Sequence, residues 1–296
     1  MGGRQLRIES VPVPGGDCAV ARSAGDGPTL LLVHGITASH RSWQAVVDVL
    51  RTPATILAPD LRGRGGSAAL PGPFGFAAHA RDLLAILDHY GVSRAVTIGH
   101  SMGAYVGLEL ARTVPDRVSG VVLVDGGLAL PVPPGLDPDF LLKAVLGPAM
   151  ARLGMTFPSR EAYHDYWRAH PALQDPGAWN AHLEAYLDYD LTGEPPALRS
   201  VVNPEAVAED GRGPLAPETA TLVDGVKQRI LLLTAERGLL NQPEPLLPKA
   251  LVQSKCDRLA NLEWREIPDT NHYTITLGSG ARAVAEAIDR FAGSAE

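Results

Sequence analysis

The sequence predicts an α/β protein built on a mostly parallel, eight-stranded sheet flanked by helices. Three observations carry that expectation. Short β-branched and leucine-rich runs alternate with segments of helical periodicity. The middle runs are continuously apolar, as strands covered on both faces must be. The alternation then lapses from about Leu128 to Gly225 and resumes, which marks an insertion into a regular chain.

The eight runs are "QLRIESVPV", "CAVAR", "TLLLVHG", "TILAPD", "RAVTIG", "SGVVLVD", "RILLLT" and "LEWREI". Between them, "FAAHARDLLAILDHYG" places Phe76, Ala80, Leu83, Leu84 and Leu87 on one helical face, with Gly91 as the stop. "ARAVAEAIDRF" does the same with Val284, Ala287, Ile288 and Phe291. The insertion opens on a Pro- and Asp-rich linker, "LPVPPGLDPD", and continues in helical patterns without strands. "SREAYHDYWRAH" spaces Tyr163, Tyr166, Trp167 and His170 along one face, with Ser159 as its cap. "DPGAWNAHLEAYLDYD" spaces Trp179, Leu183, Tyr186 and Leu187. Half of the Phe, Trp and Tyr residues fall in this insertion. Most of them serve to pack it onto the sheet. Trp167, Tyr163, Trp179 and Tyr186 are the candidates to line an apolar pocket.

Composition narrows the function. The chain has 296 residues, 45% of them hydrophobic and 20% charged, with a formal charge of −7. No Lys/Arg cluster provides the basic face that nucleic acid requires. No apolar run approaches the roughly 18 residues that span a bilayer, so no membrane insertion is expected. "MGGRQLRIES" has no apolar signal core, and Leu6 breaks the myristoylation pattern. Cys18 and Cys256 are isolated, so no disulfide framework is read and a cytoplasmic location is expected. Neither H-E-x-x-H nor C-x-x-C occurs, so neither a metal nor a cofactor is expected.

The most informative stretch is "AVTIGHSMGAYVGLEL". An apolar strand meets Gly99, His100, Ser101, Met102 and Gly103, and a helix follows. This G-x-S-x-G pattern puts a serine on a tight strand-to-helix turn and exposes its hydroxyl. Larger side chains two positions away on either side would crowd the turn. The helix beginning there adds free N–H groups and the positive end of its dipole.

With these residues in view, the chain resembles the α/β-hydrolase family over nearly its whole length. "LLLVHGITASHRSWQAVVDVL" is similar to the family's third strand, HG oxyanion loop and next helix. "ILAPDLRGRGGS" resembles the following strand and Gly-rich loop, "GHSMGA" the nucleophile elbow, and "PDTNHYTI" the histidine loop. The resemblance implies a core over 1–127 and 226–296, with a helical cap (lid) over 128–225 inserted after the sixth strand. It further implies Ser101 as nucleophile, His272 as base, and the backbone N–H groups of Ile36 and Met102 as oxyanion hole.

The third triad member stays open between two residues. The family most often places its acid in a G-x-x-D turn after the seventh strand, where this chain has "ILLLTAERGLL" and Gly238 at the expected position. Asp125, at the end of the sixth strand, is the favoured replacement, with Glu236 as the alternative acid. Asp269, three residues before His272, reads as a turn residue.

The implied activity is cofactor-independent hydrolysis of a carboxylic ester or lactone through an acyl-serine, and the aromatic-rich insertion points to a hydrophobic, medium-sized small-molecule substrate. The alternatives with the same triad are a thioesterase, an acyltransferase or a perhydrolase. A non-catalytic small-molecule receptor on the same fold is the alternative of another class.

Overall fold

A computed structural model describes residues 4–130, 147 and 150–293. All eight runs are strands of one sheet. In chain order they are β1 (Arg7–Val13), β2 (Gly16–Ser23), β3 (Thr29–Val33), β4 (Thr55–Pro59), β5 (Ala95–His100) and β6 (Val118–Val124). A separate short pair follows, β7 (Leu191–Thr192) with β8 (Arg199–Ser200), and the main sheet closes with β9 (Ile230–Ala235) and β10 (Leu262–Ile267). The order across the sheet is β1-β2-β4-β3-β5-β6-β9-β10. β1 and β2 pair antiparallel, as do β2 and β4; every other neighbour is parallel.

The described helices are α1 (Gln44–Val47), α2 (Phe76–His89), α3 (Met102–Thr113), α4 (Arg160–Arg168), α5 (Ala181–Asp190), α6 (Pro204–Asp210), α7 (Lys249–Arg258), α8 (Thr274–Leu277) and α9 (Ala281–Gly293). The twofold period of the strands sends alternate residues to opposite layers. Leu31 and Val33 of β3 pack with α2 and α3, while Leu30 and Leu32 pack with α1 and α9. The predicted faces of α2 and α9 are buried at Ala80, Leu83, Leu87, Val284, Ala287, Ile288 and Phe291. Gly91 ends α2 with φ +63°, a left-handed conformation that glycine adopts without a Cβ penalty.

Three expectations for the insertion need correction. It is not strand-free, because Leu191–Thr192 pairs with Arg199–Ser200 and Phe157 bridges Leu198. The Asp190 side chain fixes that hairpin, accepting from Ser200 Oγ at 2.8 Å while its carbonyl accepts from Val201 N at 2.7 Å. Trp179 lies outside the helix, because Asn180 caps α5 through bonds from His182 N (2.9 Å) and Leu183 N (3.1 Å). His170 likewise falls after α4, where its ring accepts from Ala172 N at 3.2 Å. Ser159 does cap α4, accepting from Ala162 N at 3.1 Å. From residue 131 onward the "LPVPPGLDPD" linker lies outside the described residues. Among the described residues no helix is long and apolar enough to cross a membrane, and both cysteines are free thiols.

Candidate active site

The turn between β5 and α3 is as tight as its glycines suggest. Ser101 has φ +55° and ψ −121°, a sparsely populated conformation for a non-glycine residue. Its N–H donates to Val124 O at 2.9 Å, which ties the turn to β6. A Cβ on Gly99 would fall against the Gly103 carbonyl, and one on Gly103 against the Val33 carbonyl. Gly35 approaches from the β3 side, where an added Cβ would lie 3.1 Å from Ser101 Cβ. The nucleophile candidate and the HG loop therefore meet backbone to backbone.

Asp125 follows the last residue of β6 with φ +46° and is wholly buried. Its N–H donates to Leu233 O at 2.7 Å, and its Oδ1 accepts from Ala235 N at 3.1 Å. Its Oδ2 accepts from His272 Nδ1–H at 2.6 Å. A carboxylate can only accept here, so the proton sits on Nδ1 and leaves the Nε2 lone pair toward the cavity. Glu236 is directed elsewhere: its Oε2 accepts from Asp269 N at 2.7 Å, and both residues line a separate polar groove with Arg237 and Ser279. Gly238 has no room for a side chain, since a Cβ there would stand 2.5 Å from Glu244 O. Asp269 is a turn residue with φ +57°.

Ser101, His272, Asp125, Ile36 and Met102 all border one cavity of about 100 Å³. Among the described residues the Ile36 and Met102 amides have no hydrogen-bond partner. They are available to a developing negative charge. The remaining wall is apolar, built from Leu130, Leu215, Leu239, Leu246, Leu277 and Tyr186, and no described lysine or arginine borders it. Of the four aromatic candidates only Tyr186 reaches the cavity. Tyr163 and Trp167 are buried in an apolar cluster that also holds Tyr186, but neither borders the cavity. Trp179 donates to Glu184 Oε1 at 2.6 Å and lies under the Arg168 guanidinium.

Two further histidines frame the site. His34 Nδ1–H donates to Gly35 O at 2.7 Å, and its Nε2 accepts from Leu61 N at 2.9 Å. Burial lowers its pKa from 6.5 to about 4, so it stays neutral and holds the loop. His100 Nε2–H donates to His272 O at 3.0 Å, and burial, then the nearby His272, pushes its pKa well below the ordinary value. The unfolded chain takes up a proton at His34 below pH 6.5, whereas the folded protein resists until about pH 4. Stability is therefore fully present above pH 6.5 and falls as pH drops toward 4. His34 alone accounts for about 3 kcal/mol of that loss. Urea unfolding at pH 7.5 and pH 4.5 measures it, and a His34→Asn variant should show a shallower slope.

Sequence reasoning misses several residues here. Leu239 and Leu246 lie in a loop without periodicity. Tyr105, whose hydroxyl donates to Leu128 O at 2.7 Å, reads as ordinary helix core. Arg64 falls inside "ILAPDLRGRGGS" with no role of its own there, and Arg152 carries no motif, yet both bond to the Gly35–Thr37 loop. Among the described residues no cluster of three or more His, Cys, Asp or Glu could hold a metal ion.

Comparison with known proteins agrees with this architecture. Lipase LipV of Mycobacterium tuberculosis is 37% identical over 115 residues, covering 38% of this chain and 43% of that protein. A putative carbamate hydrolase, RutD of Cronobacter sakazakii, is 32% identical over 127 residues, covering 43% of each. An uncharacterized protein of Mycobacterium bovis is 38% identical over 109 residues, covering 36% of this chain and 31% of that one. The chain thus spans less than half the length of these relatives. Among solved structures, E-2-(acetamidomethylene)succinate hydrolase superposes with a TM-score of 0.79 at 21% identity, over 97% of this chain and 99% of that one. A thermophilic esterase from Thermogutta terrifontis gives 0.68 at 24% identity, over 98% and 99%. A family model described as alpha/beta hydrolase fold matches residues 28–200, well over half of the sequence, and the chain belongs to that family.

Proposed function

We propose that the protein is a cofactor-independent serine hydrolase that cleaves a carboxylic ester or lactone of a small, apolar acyl group. The observation that carries this reading is that Ser101 and His272 border one cavity, with His272 held at Nδ1 by the buried Asp125. The lipase, esterase and carbamate hydrolase among its relatives support the same class of carbonyl chemistry.

In this reading Ser101 Oγ attacks the substrate carbonyl and His272 Nε2 takes its proton. The carbonyl electrons move to oxygen, where the Ile36 and Met102 amides stabilise the charge. Collapse expels the alkoxide, which leaves with the proton from His272. Water, deprotonated by the same nitrogen, then cleaves the acyl-serine and releases the acid. Asp125 keeps the imidazole in the working tautomer throughout. The helices between β6 and β9 form the cap in this reading, which is supported by Leu130, Tyr186 and Leu215 of that segment lining the cavity.

A fluorophosphonate probe tests the reading. It should label the wild-type protein stoichiometrically, and Ser101→Ala should abolish both labelling and hydrolysis of p-nitrophenyl esters. Equal labelling of the variant would refute the assignment. Unlabelled wild type that nonetheless binds an ester-like ligand, seen as a raised melting temperature, would favour the receptor alternative.

A further inference from the structure

We propose that Arg64 and Arg152 are positioning residues for this reaction, gripping consecutive carbonyls of the oxyanion loop so that its amides stay turned toward the cavity. The proposal rests on the serine-hydrolase reading and deepens it.

Three adjacent carbonyls of the loop are each held, the first within the loop and the next two by distant arginines. Gly35 O accepts from His34 Nδ1–H at 2.7 Å and from Ala38 N at 3.2 Å. Ile36 O accepts from Arg64 Nε at 2.9 Å. Thr37 O accepts from Arg152 Nη2 at 3.2 Å, with the Tyr186 hydroxyl farther away at 3.5 Å. In a trans peptide the C=O and the following N–H point in opposite directions across one plane. Holding Gly35 O outward therefore aims the Ile36 N–H inward. Holding Thr37 O fixes the peptide whose Ala38 N–H bonds Gly35 O, and holding Ile36 O fixes the peptide between the two.

Both guanidinium groups are wholly buried, which is costly unless each charge is matched. Among the described residues each meets a carboxylate from the segment between β6 and β9. Arg64 Nη1 meets Asp210 Oδ2 at 2.5 Å, at the end of α6. Arg152 Nη2 meets Asp190 Oδ2 at 3.2 Å, at the end of α5. The carboxylates are fixed in turn. Asp210 accepts from Gly75 N at 2.5 Å and from His79 Nε2–H at 3.0 Å. Asp190 accepts from Ser200 Oγ at 2.8 Å and from the Tyr163 hydroxyl, which also contacts Arg152 Nε at 3.1 Å. The Arg152 guanidinium lies over the Trp167 ring, 5.2 Å from its centroid. This is the work of Tyr163 and Trp167, which do not border the cavity: they seat the cation that holds Thr37. The segment covering the site thereby orders the loop that stabilises charge, and covering and catalysis are one mechanical unit.

The test uses the full chain, with active sites counted by fluorophosphonate titration. Arg152→Met is combined with Asp190→Asn, so that no unpaired carboxylate is left behind. Turnover of a p-nitrophenyl ester per titrated site should fall about 10²-fold, the scale for a loop displaced by about 1 Å. KM should change by less than about threefold, because ground-state binding is apolar. Affinity for an alkylboronic acid, which forms a tetrahedral adduct with the serine, should fall in parallel with kcat. Arg152→Lys, which keeps the charge and one donor, should recover part of the loss. It also carries the test alone if the double variant does not fold.

Arg62→Met is the control for losing a buried arginine. Arg62 pairs with Asp82 at 2.6 Å and donates to Pro14 O and Pro71 O, away from the cavity. It should lower the melting temperature yet leave kcat per site within about twofold. The proposal is overturned if the Arg152 variants match that control, or if they raise KM with boronate affinity unchanged. Wild type that takes up no fluorophosphonate sinks the serine reading and this proposal together. Labelled wild type with unaffected variants sinks only the arginine brace.

Discussion

In the serine-hydrolase reading, Asp125→Asn is expected to lower kcat for ester cleavage by about four orders of magnitude, or about 5.5 kcal/mol of transition-state stabilisation. Glu236→Gln stays within about twofold. The difference follows from where each carboxylate is spent. Asp125 Oδ2 lies 2.6 Å from His272 Nδ1, while Oδ1 is locked by Ala235 N and the backbone by Leu233 O. An Asn side chain fits the same space but can present its NH₂ group to the ring. It then stabilises the tautomer protonated on Nε2, which cannot accept the serine proton. Glu236 is engaged by the Asp269 amide on another face and has no path to the imidazole. Steady-state turnover of both purified variants decides the matter. A large loss in Glu236→Gln with an active Asp125→Asn would reverse the assignment.

In the same reading, Gly103→Ala is expected to lower kcat by about 10²-fold and stability by about 1–3 kcal/mol. Gly103 has an ordinary helical backbone, so conformation does not forbid alanine and only space does. The added methyl would press on the Val33 carbonyl and stand 2.7 Å from His34 O. Relief requires α3 to move away from β3. That movement separates the Met102 amide from the Ile36 amide, and two donors that must converge on one oxygen no longer do. Gly107→Ala is the informative contrast. Its methyl would meet Thr97 Oγ1 at 3.3 Å, a contact that small shifts absorb, and alanine favours a helix by about 1 kcal/mol over glycine. Urea midpoints and turnover for the pair separate the two sites. An unperturbed Gly103→Ala would mean that the elbow is not held as tightly as described.

Much of this architecture is legible in the sequence because it follows from short-range rules. Continuous apolar runs such as "TLLLV" and "GVVLV" allow only a strand covered on both faces, and all eight runs form one sheet. Ser159 and Gly91 mark helix ends because capping is a local bond or a local φ. The serine turn is legible for the same reason, since steric crowding extends only two residues either way. What is not legible depends on distance through space. Periodicity cannot tell which ring of one buried cluster borders a cavity, so Tyr186 is set apart from Tyr163 and Trp167 only in three dimensions. Trp179 fits the helical spacing, yet the Asn180 cap starts the helix after it. Arg152 carries no signal in its own neighbourhood, because its partners lie at Thr37, Tyr163 and Asp190.

The position of Asp125 has a consequence for how this protein could diversify. An acid at the end of β6 is anchored between two central strands, where neighbouring backbone fixes it on both sides. In the serine-hydrolase reading the loop after β9 then supplies no acid to the imidazole. Its Glu236, Arg237 and Asn241 still brace the histidine loop, at Asp269 N, Thr270 O and Asn271 Nδ2, while Leu239 and Leu246 line the cavity. Those two positions can change their side chains under selection while the proton-handling groups stay where they are. Libraries confined to them would retune which molecules enter, and the inherited chemistry would travel unchanged from one variant to the next.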